Sequence, residues 1–199
     1  MIEFINISRK EPYRIFENFY NKALECNQKT IEAISISSYS KEKNEVESRF
    51  VNLKYIINDE WVFFSNYESI KARNFNNHDQ ISALFYWNST NVQIRLKAYV
   101  KKSDSVLSDK HFKNRSDRKN ALAISSNQSK KIASYEDVIN NYNKVIDNQK
   151  LLNSRPANWG GYSFVPYFFE FWEGDDSRIN KRKIYSNVDD IWVKEYLQP

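Results

Sequence analysis

Cysteine is nearly absent: Cys26 is the one cysteine in 199 residues. No intramolecular disulfide can form and no cysteine-based metal cluster is possible, which points to a reducing, cytoplasmic compartment. Histidine is almost as scarce, and the two present, His78 and His111, have no metal-motif spacing, so no metal is expected. With 3 glycines and 4 prolines, a collagen-like or linker-rich chain is excluded. No apolar run approaches the roughly 20 residues that span a bilayer. The opening MIEFINISRKEPYRIF lacks the basic-then-apolar pattern of a secretory signal, and no membrane partner is expected. Long basic stripes are missing too. The 30 Lys and Arg exceed the 25 Asp and Glu by only +5, and the acids are interspersed throughout. That balance weakly favours an anionic partner and argues against nucleic acid. With no repeat, low-complexity tract or linker, residues 1–199 read as one domain.

Aromatics are abundant, at 16% of the chain, with 13 Tyr, 13 Phe and 5 Trp. Composition alone does not say whether they serve a core, a subunit interface or a flat ligand. Two C-terminal segments concentrate them with other special residues: Pro156–Tyr162 (PANWGGY) and Glu170–Arg182 (EFWEGDDSRINKR). Indole faces suit a planar ligand, and the Arg-x-Asn-x-Arg run supplies fixed cations for an anionic one.

Periodicity predicts an amphipathic helix from Pro12 to about Cys26, with Ile15, Phe16, Phe19, Tyr20 and Ala23 at helical spacing, capping one end of a sheet. Strands are predicted over 31–37, Phe50–Ile57 and Trp61–Phe64, with 38–47 as a polar hairpin or loop. A short helix follows at Ser69–Asn77, then strands at Ile81–Trp87 and Val92–Lys101. In the latter, Val92, Ile94, Leu96, Ala98 and Val100 alternate with Gln93, Arg95, Lys97, Tyr99 and Lys101, giving one wet or ligand-facing side. Helices are predicted at Ser105–Asn114, 119–125 and Ser134–Leu152. Ser163–Trp172 reads as a strand with an edge or bulge at Pro166. Arg182–Ser186 and Ile191–Tyr196 form a last hairpin through Asn187–Asp190. Six or seven strands with short helices imply a mainly β fold with flanking helices, a closed or nearly closed antiparallel barrel.

The segments RFVNLK (49–54), FFSNYESIK (63–71), LFYW (84–87), Gln93, Gln128-Ser129 and Trp159 through Arg182 follow in this order, after an opening EPYRIFENFYNKA. In that order they resemble the pyridoxamine 5'-phosphate oxidase family over nearly the whole chain. The resemblance implies an FMN-binding split barrel, a homodimer with flavin at the interface, and a C-terminal hairpin serving dimerisation and the active site. It assigns cofactor contacts to Arg49, Phe50, Val51, Phe64, Ser65, Lys71, Gln93, Gln128, Ser129, Trp172 and Arg182, the last two from the other subunit. It assigns substrate binding to Lys54, His111, Arg115 and Lys119, and the catalytic positions to Arg178, which orients the substrate, and Asn180, which makes a secondary contact.

Read from the residues alone, several of these positions have blander roles. Arg49 and Lys54 serve equally well as solvated charges, and strand alternation puts them on opposite faces unless a bulge intervenes. Ser65, Asn66, Ser69 and Lys71 stand where a strand gives way to a helix; they can cap the helix, or hold a phosphate at its open N–H groups. His111, Arg115 and Lys119 are four apart, so they share a face if one helix runs through all three. His111 is otherwise an ordinary surface residue. Beside two cations it is expected to be neutral when the site is empty.

The chain also departs from the family pattern. Ile70-Lys71 replaces the family's Arg-Lys, removing a cation and predicting weaker flavin retention. His111 and Lys119 replace a tyrosine and a serine. Asn180 replaces a histidine and cannot take a proton near neutral pH. The ending YLQP lacks the arginine of Arg-Leu-x-Pro. The implied activity is FMN-dependent oxidation of pyridoxamine or pyridoxine 5'-phosphate to pyridoxal 5'-phosphate, with O2 as acceptor and H2O2 as product. The alternatives are an FMN oxidase of another small cyclic substrate, as in phenazine-forming relatives, and a non-catalytic flavin-binding protein.

Overall fold

The computed structural model describes residues 1–199. In chain order the elements are β1 (Glu3–Ile5), α1 (Glu11–Glu25), β2 (Ala33–Ser40), β3 (Glu45–Ile57), β4 (Glu60–Asn66), α2 (Ile70–Asn77), β5 (Gln80–Trp87) and β6 (Val92–Lys102). Then come α3 (Ser105–Lys113), α4 (Asp117–Ser125), α5 (Tyr135–Ile146), α6 (Gln149–Leu152), β7 (Trp159–Glu173), β8 (Lys181–Val188) and β9 (Ile191–Leu197).

Six strands close a barrel, because β3 pairs β2, β2 pairs β5, β5 pairs β6, β6 pairs β7, β7 pairs β4 and β4 returns to β3. All of these pairings are antiparallel; the added β1 lies parallel to β3. The alternation expected for β6 holds, with Val92, Ile94, Leu96, Ala98 and Val100 all buried. Inside, Trp61, Phe63, Phe85, Phe164 and Phe169 are fully buried. Each such side chain contributes roughly 1.5–3 kcal/mol. Helix α1 seals one end: Pro12, Tyr13, Phe16, Tyr20 and Ala23 form its buried stripe. The Phe16 ring packs at a tilt against three others, with centroids 4.5 Å from Trp61, 5.5 Å from Phe85 and 5.7 Å from Trp87.

Strand β7 belongs to two assemblies. Its first half, Trp159–Phe164, pairs β4 inside the barrel, and Phe168–Glu173 pairs β8 outside it. The bulge expected near Pro166 is present, with Lys97 opposite Phe168 and Ala98 opposite Pro166, so Tyr167 is the extra residue. At Pro166 β7 has a strand neighbour on one side only, β6. It sits where β7 exchanges one neighbour for the other, and no flanking strand needs its missing N–H.

Several boundaries differ from those expected. The segment 38–47 is mostly strand, with a turn only at 41–44, and β3 begins at Glu45. Its first half is open on both faces, so no apolar alternation marks it. The helix expected over 134–152 breaks in two, because the Asn148 side chain accepts from Leu151 N at 3.3 Å and starts α6. The last hairpin turns on Asp189-Asp190 alone, both at positive φ, as a two-residue loop requires. The strands number nine; short β1 is the one without an expected counterpart, and β7, β8 and β9 are the three strands expected in the C-terminal region.

Candidate active site

A cleft of about 910 Å³ opens where β3 and β4 meet α2, α3 and α4, at the large end of the range for small-molecule sites. Strand β3 supplies Glu47, Arg49, Phe50, Val51 and Lys54 to it. Unbroken alternation would separate Arg49 from Lys54. The strand bulges instead: Leu53 pairs Phe63 while Tyr55 pairs Val62, leaving Lys54 as the additional residue. Residues of both faces of β3, Ser48 and Asn52 as well as Glu47 and Arg49, line the cleft, and both cations reach it.

The end of β4 and the start of α2 bring in Phe64, Ser65 and Lys71, and the loop after α4 adds Gln128 and Ser129. Ser69 does not cap α2; its hydroxyl donates to Asn66 O at 2.8 Å. Lys71 is buried, and its Nζ donates to Ser65 Oγ (2.9 Å), Ser69 Oγ (3.3 Å) and Gln128 Oε1 (3.4 Å). All three partners are neutral. Burial, together with the nearby Arg49 charge, pushes the Lys71 ammonium down to about 8. Arg49 is already engaged: it donates to Ser38 Oγ at 2.7 Å and to Glu47 Oε2 at 2.9 Å.

His111, Arg115 and Lys119 all line the cleft, but not on one continuous helix. Helix α3 ends at Lys113 and α4 begins at Asp117. The break lets Arg115 fold back, its Nη2 donating to Lys119 O at 3.0 Å and its guanidinium lying 4.4 Å from the Trp159 ring. Arg115 Nη1 is buried without a partner. His111 stacks on Phe64 with ring centroids 3.8 Å apart and planes 6° from parallel, and Phe64 stacks on Trp159 at 5.4 Å. Burial, then the Arg115, Lys54 and Lys119 charges, push His111 down to about 4, so the ring is neutral at neutral pH. Burial also holds Arg115 down to about 10, still a cation.

Trp159 and Tyr55 carry more of this geometry than their sequence context suggested. Trp159 stood in the conspicuous PANWGGY segment without a role, and Tyr55, which hydrogen-bonds His111 Nδ1 at 2.8 Å, reads in sequence as an ordinary strand residue. Glu47 falls in the stretch expected to be a polar hairpin or loop. Gly160 and Gly161 make the arrangement possible. A Cβ on Gly160 would overlap the Tyr67 hydroxyl, and one on Gly161 would overlap Ser103 Oγ. Gly161 N also donates to Ser108 Oγ at 3.0 Å, which docks α3 against β7 and brings His111 to the aromatic stack.

Five expected site residues lie outside this cleft within one chain: Gln93, Trp172, Arg178, Asn180 and Arg182. Gln93, Trp172 and Arg182 are cross-strand neighbours on β6, β7 and β8. Arg182 donates through Nε and Nη2 to Glu170 Oε1 at 2.9 and 2.7 Å, and the buried Glu170 also pairs Arg95 at 3.0 Å. Arg178 is exposed at φ 64° in the turn before β8, and Asn180 Oδ1 accepts from Asp175 N at 3.1 Å. No trio of His, Cys, Asp or Glu is placed to hold a metal ion, and no helix is long and apolar enough to cross a membrane.

The chain is 35% identical over 195 residues to the pyridoxine/pyridoxamine 5'-phosphate oxidase of Christiangramia forsetii, covering 95% of this chain and 89% of that one. It belongs to the pyridoxine/pyridoxamine 5'-phosphate oxidase family. The Legionella pneumophila (strain Lens) member is 32% identical over 195 residues, covering 96% and 89%. Residues 159–199 match the family model described as the pyridoxine 5'-phosphate oxidase C-terminal dimerisation region. Among solved structures, PhzG from Burkholderia lata 383, in complex with tetrahydrophenazine-1-carboxylic acid, has a TM-score of 0.87 at 22% identity, over 95% of this chain and 93% of its own. A pyridoxamine 5'-phosphate oxidase-related, FMN-binding protein of Nostoc punctiforme has a TM-score of 0.76 at 14% identity, over 92% and 97%. At those identities the likeness establishes the fold, which is the family's split barrel.

Proposed function

We propose that this family member is an FMN-dependent oxidase that converts pyridoxamine or pyridoxine 5'-phosphate to pyridoxal 5'-phosphate, with O2 as acceptor and H2O2 as product. The observation that carries the reading is the convergence of five cations, Arg49, Lys54, Lys71, Arg115 and Lys119, on a cleft with one carboxylate, Glu47, and an aromatic stack. Two cations have unmet demand. Lys71 is buried against neutral oxygens, and Arg115 Nη1 is buried without an acceptor. A buried charge without a counterion is strained until an anion arrives.

The residues present fit FMN. Lys71, Ser65, Gln128 and Ser129 would hold its phosphate, Arg49 would leave Glu47 to join them, and Phe64 adds an apolar wall. FMN supplies hydride acceptance and reoxidation by O2. Lys54, His111, Arg115 and Lys119 bind the substrate phosphate, so the chain's own task is to place the reacting carbon and exclude water. Gln93, Trp172, Arg178, Asn180 and Arg182 complete the site from a second copy in a homodimer. The dimerisation-region match over residues 159–199 supports that assembly. No side chain in the set serves as a strong base, because Asn180 replaces the family's histidine.

The test is anaerobic rapid mixing of FMN-loaded protein with pyridoxamine 5'-phosphate. Bleaching of oxidised flavin, then pyridoxal 5'-phosphate on admitting oxygen, is expected. Flavin that stays oxidised at saturating substrate overturns the reading. The Asn180, His111 and Lys119 replacements favour a second reading, oxidation of another small anionic cyclic substrate, which the same assay resolves by product identity.

A further inference from the structure

His111 is held on three sides. Phe64 fixes its plane, Tyr55 meets it edge-on at 5.4 Å and 87°, and the Tyr55 hydroxyl lies 2.8 Å from Nδ1. The protein thus closes on Nδ1, while Nε2 is neither bonded within the chain nor sealed away as an orphan. The charged groups around this pair are Lys54 from β3, Arg115 and Lys119 from the α3–α4 region, and Glu3 from β1 near Tyr55.

One proton lies between the Tyr55 oxygen and Nδ1, and two arrangements are possible. Either Tyr55 donates and the ring carries its proton on Nε2, or Nδ1–H donates and Nε2 is bare. A phenol is a far stronger acid than a neutral imidazole N–H, and an imidazole nitrogen is a better acceptor than a phenol oxygen. The first arrangement therefore prevails.

We propose that Tyr55 is a positioning residue: by donating to Nδ1 it holds His111 as the neutral Nε2–H tautomer, so that the ring offers the anionic ligand a directed N–H donor in place of a fourth cation. The inference rests on the cleft being an anion site, but the tautomer is a property of the protein alone. Three cations, Lys54, Arg115 and Lys119, already supply charge at this end of the cleft. A neutral donor adds direction without adding repulsion in the empty state. Because burial and those cations hold the ring neutral down to about pH 4, the donor persists across the pH range in which a free histidine, near 6.5, would switch.

Nitrogen-15 NMR of the histidine rings in the full-length protein tests this directly. There are only 2 histidines, and His78→Gln assigns the spectrum. Expected in the unaltered protein is a protonated Nε2 and a bare Nδ1, constant from pH 8 to 5. Titrating inorganic phosphate into FMN-loaded protein should shift the Nε2–H resonance, and Tyr55→Phe should mix the tautomers and weaken that binding about five- to tenfold. A protonated Nδ1 in the unaltered protein overturns the proposal. So does a Tyr55→Phe protein with unchanged tautomer or unchanged phosphate affinity. Failure to oxidise pyridoxamine 5'-phosphate, with the tautomer and phosphate response intact, overturns the assigned reaction and leaves this inference standing.

Discussion

Lys71 illustrates how a residue proposed to hold an anion opposes folding. Its ammonium is buried, meets only neutral oxygens, and is pushed down to about 8 from an ordinary lysine value of 10.5. A depressed value means that the unfolded chain binds the proton more tightly. Stability therefore rises with pH between about 8 and 10.5, and at neutrality the buried charge costs on the order of 3 kcal/mol. Lys71→Met is expected to raise the unfolding free energy at pH 7 by about 1–3 kcal/mol, to flatten that alkaline rise, and to abolish stabilisation by added FMN. Urea unfolding at pH 7 and pH 9.5, with and without FMN, measures all three. Arg49 differs, since Glu47 and Ser38 hold it and its removal breaks existing bonds. Residue identity alone marked both as cation sites; only the neighbours show which is strained and which is satisfied.

At the scale of elements, the site depends on how closely α3 approaches β7. Gly161 sets that distance, since its N–H bonds Ser108 on α3 and a side chain there would collide with Ser103. Gly161→Ala is expected to cost about 1–3 kcal/mol and to lower His111-dependent phosphate affinity, because the added methyl meets Ser103, just before α3, and the Phe64 ring on which His111 stacks. Thermal unfolding and a phosphate titration measure the two effects. The same scale explains what could be read from sequence. Strand β6 has one buried and one wet face, so its alternation was plain, and α1 showed its stripe for the same reason. The first half of β3 has no buried face, with Val46 69% exposed, so the sequence leaves hairpin and loop both open there, and the structure is the hairpin. The break between α3 and α4 left no compositional mark, yet it lets Arg115 fold back onto Lys119. Convergence of Arg49 with Lys54, and of His111 with Lys119, was legible through family likeness and not through spacing.

At the scale of the whole molecule, the expected site is divided within one chain. The cleft holds Arg115 and its companions, while Arg178 and Asn180 stand on an exposed turn outside it. If two copies complete each other's sites, Arg115→Ala and Arg178→Ala homodimers each lose most activity. Co-expressed together, they should recover roughly a quarter of it, since half the dimers are mixed and each mixed dimer has one intact site. No recovery in mixed dimers isolated by two affinity tags would refute the shared site. The C-terminal region bears on this in another way. The segment recognised across the family, residues 159–199, starts at the first residue of β7, and the first half of β7 is the barrel's sixth stave. What is inherited as a recognisable unit is therefore not what folds as a unit. A chain cut at 158 would lose its outer hairpin and also the strand that joins β4 to β6.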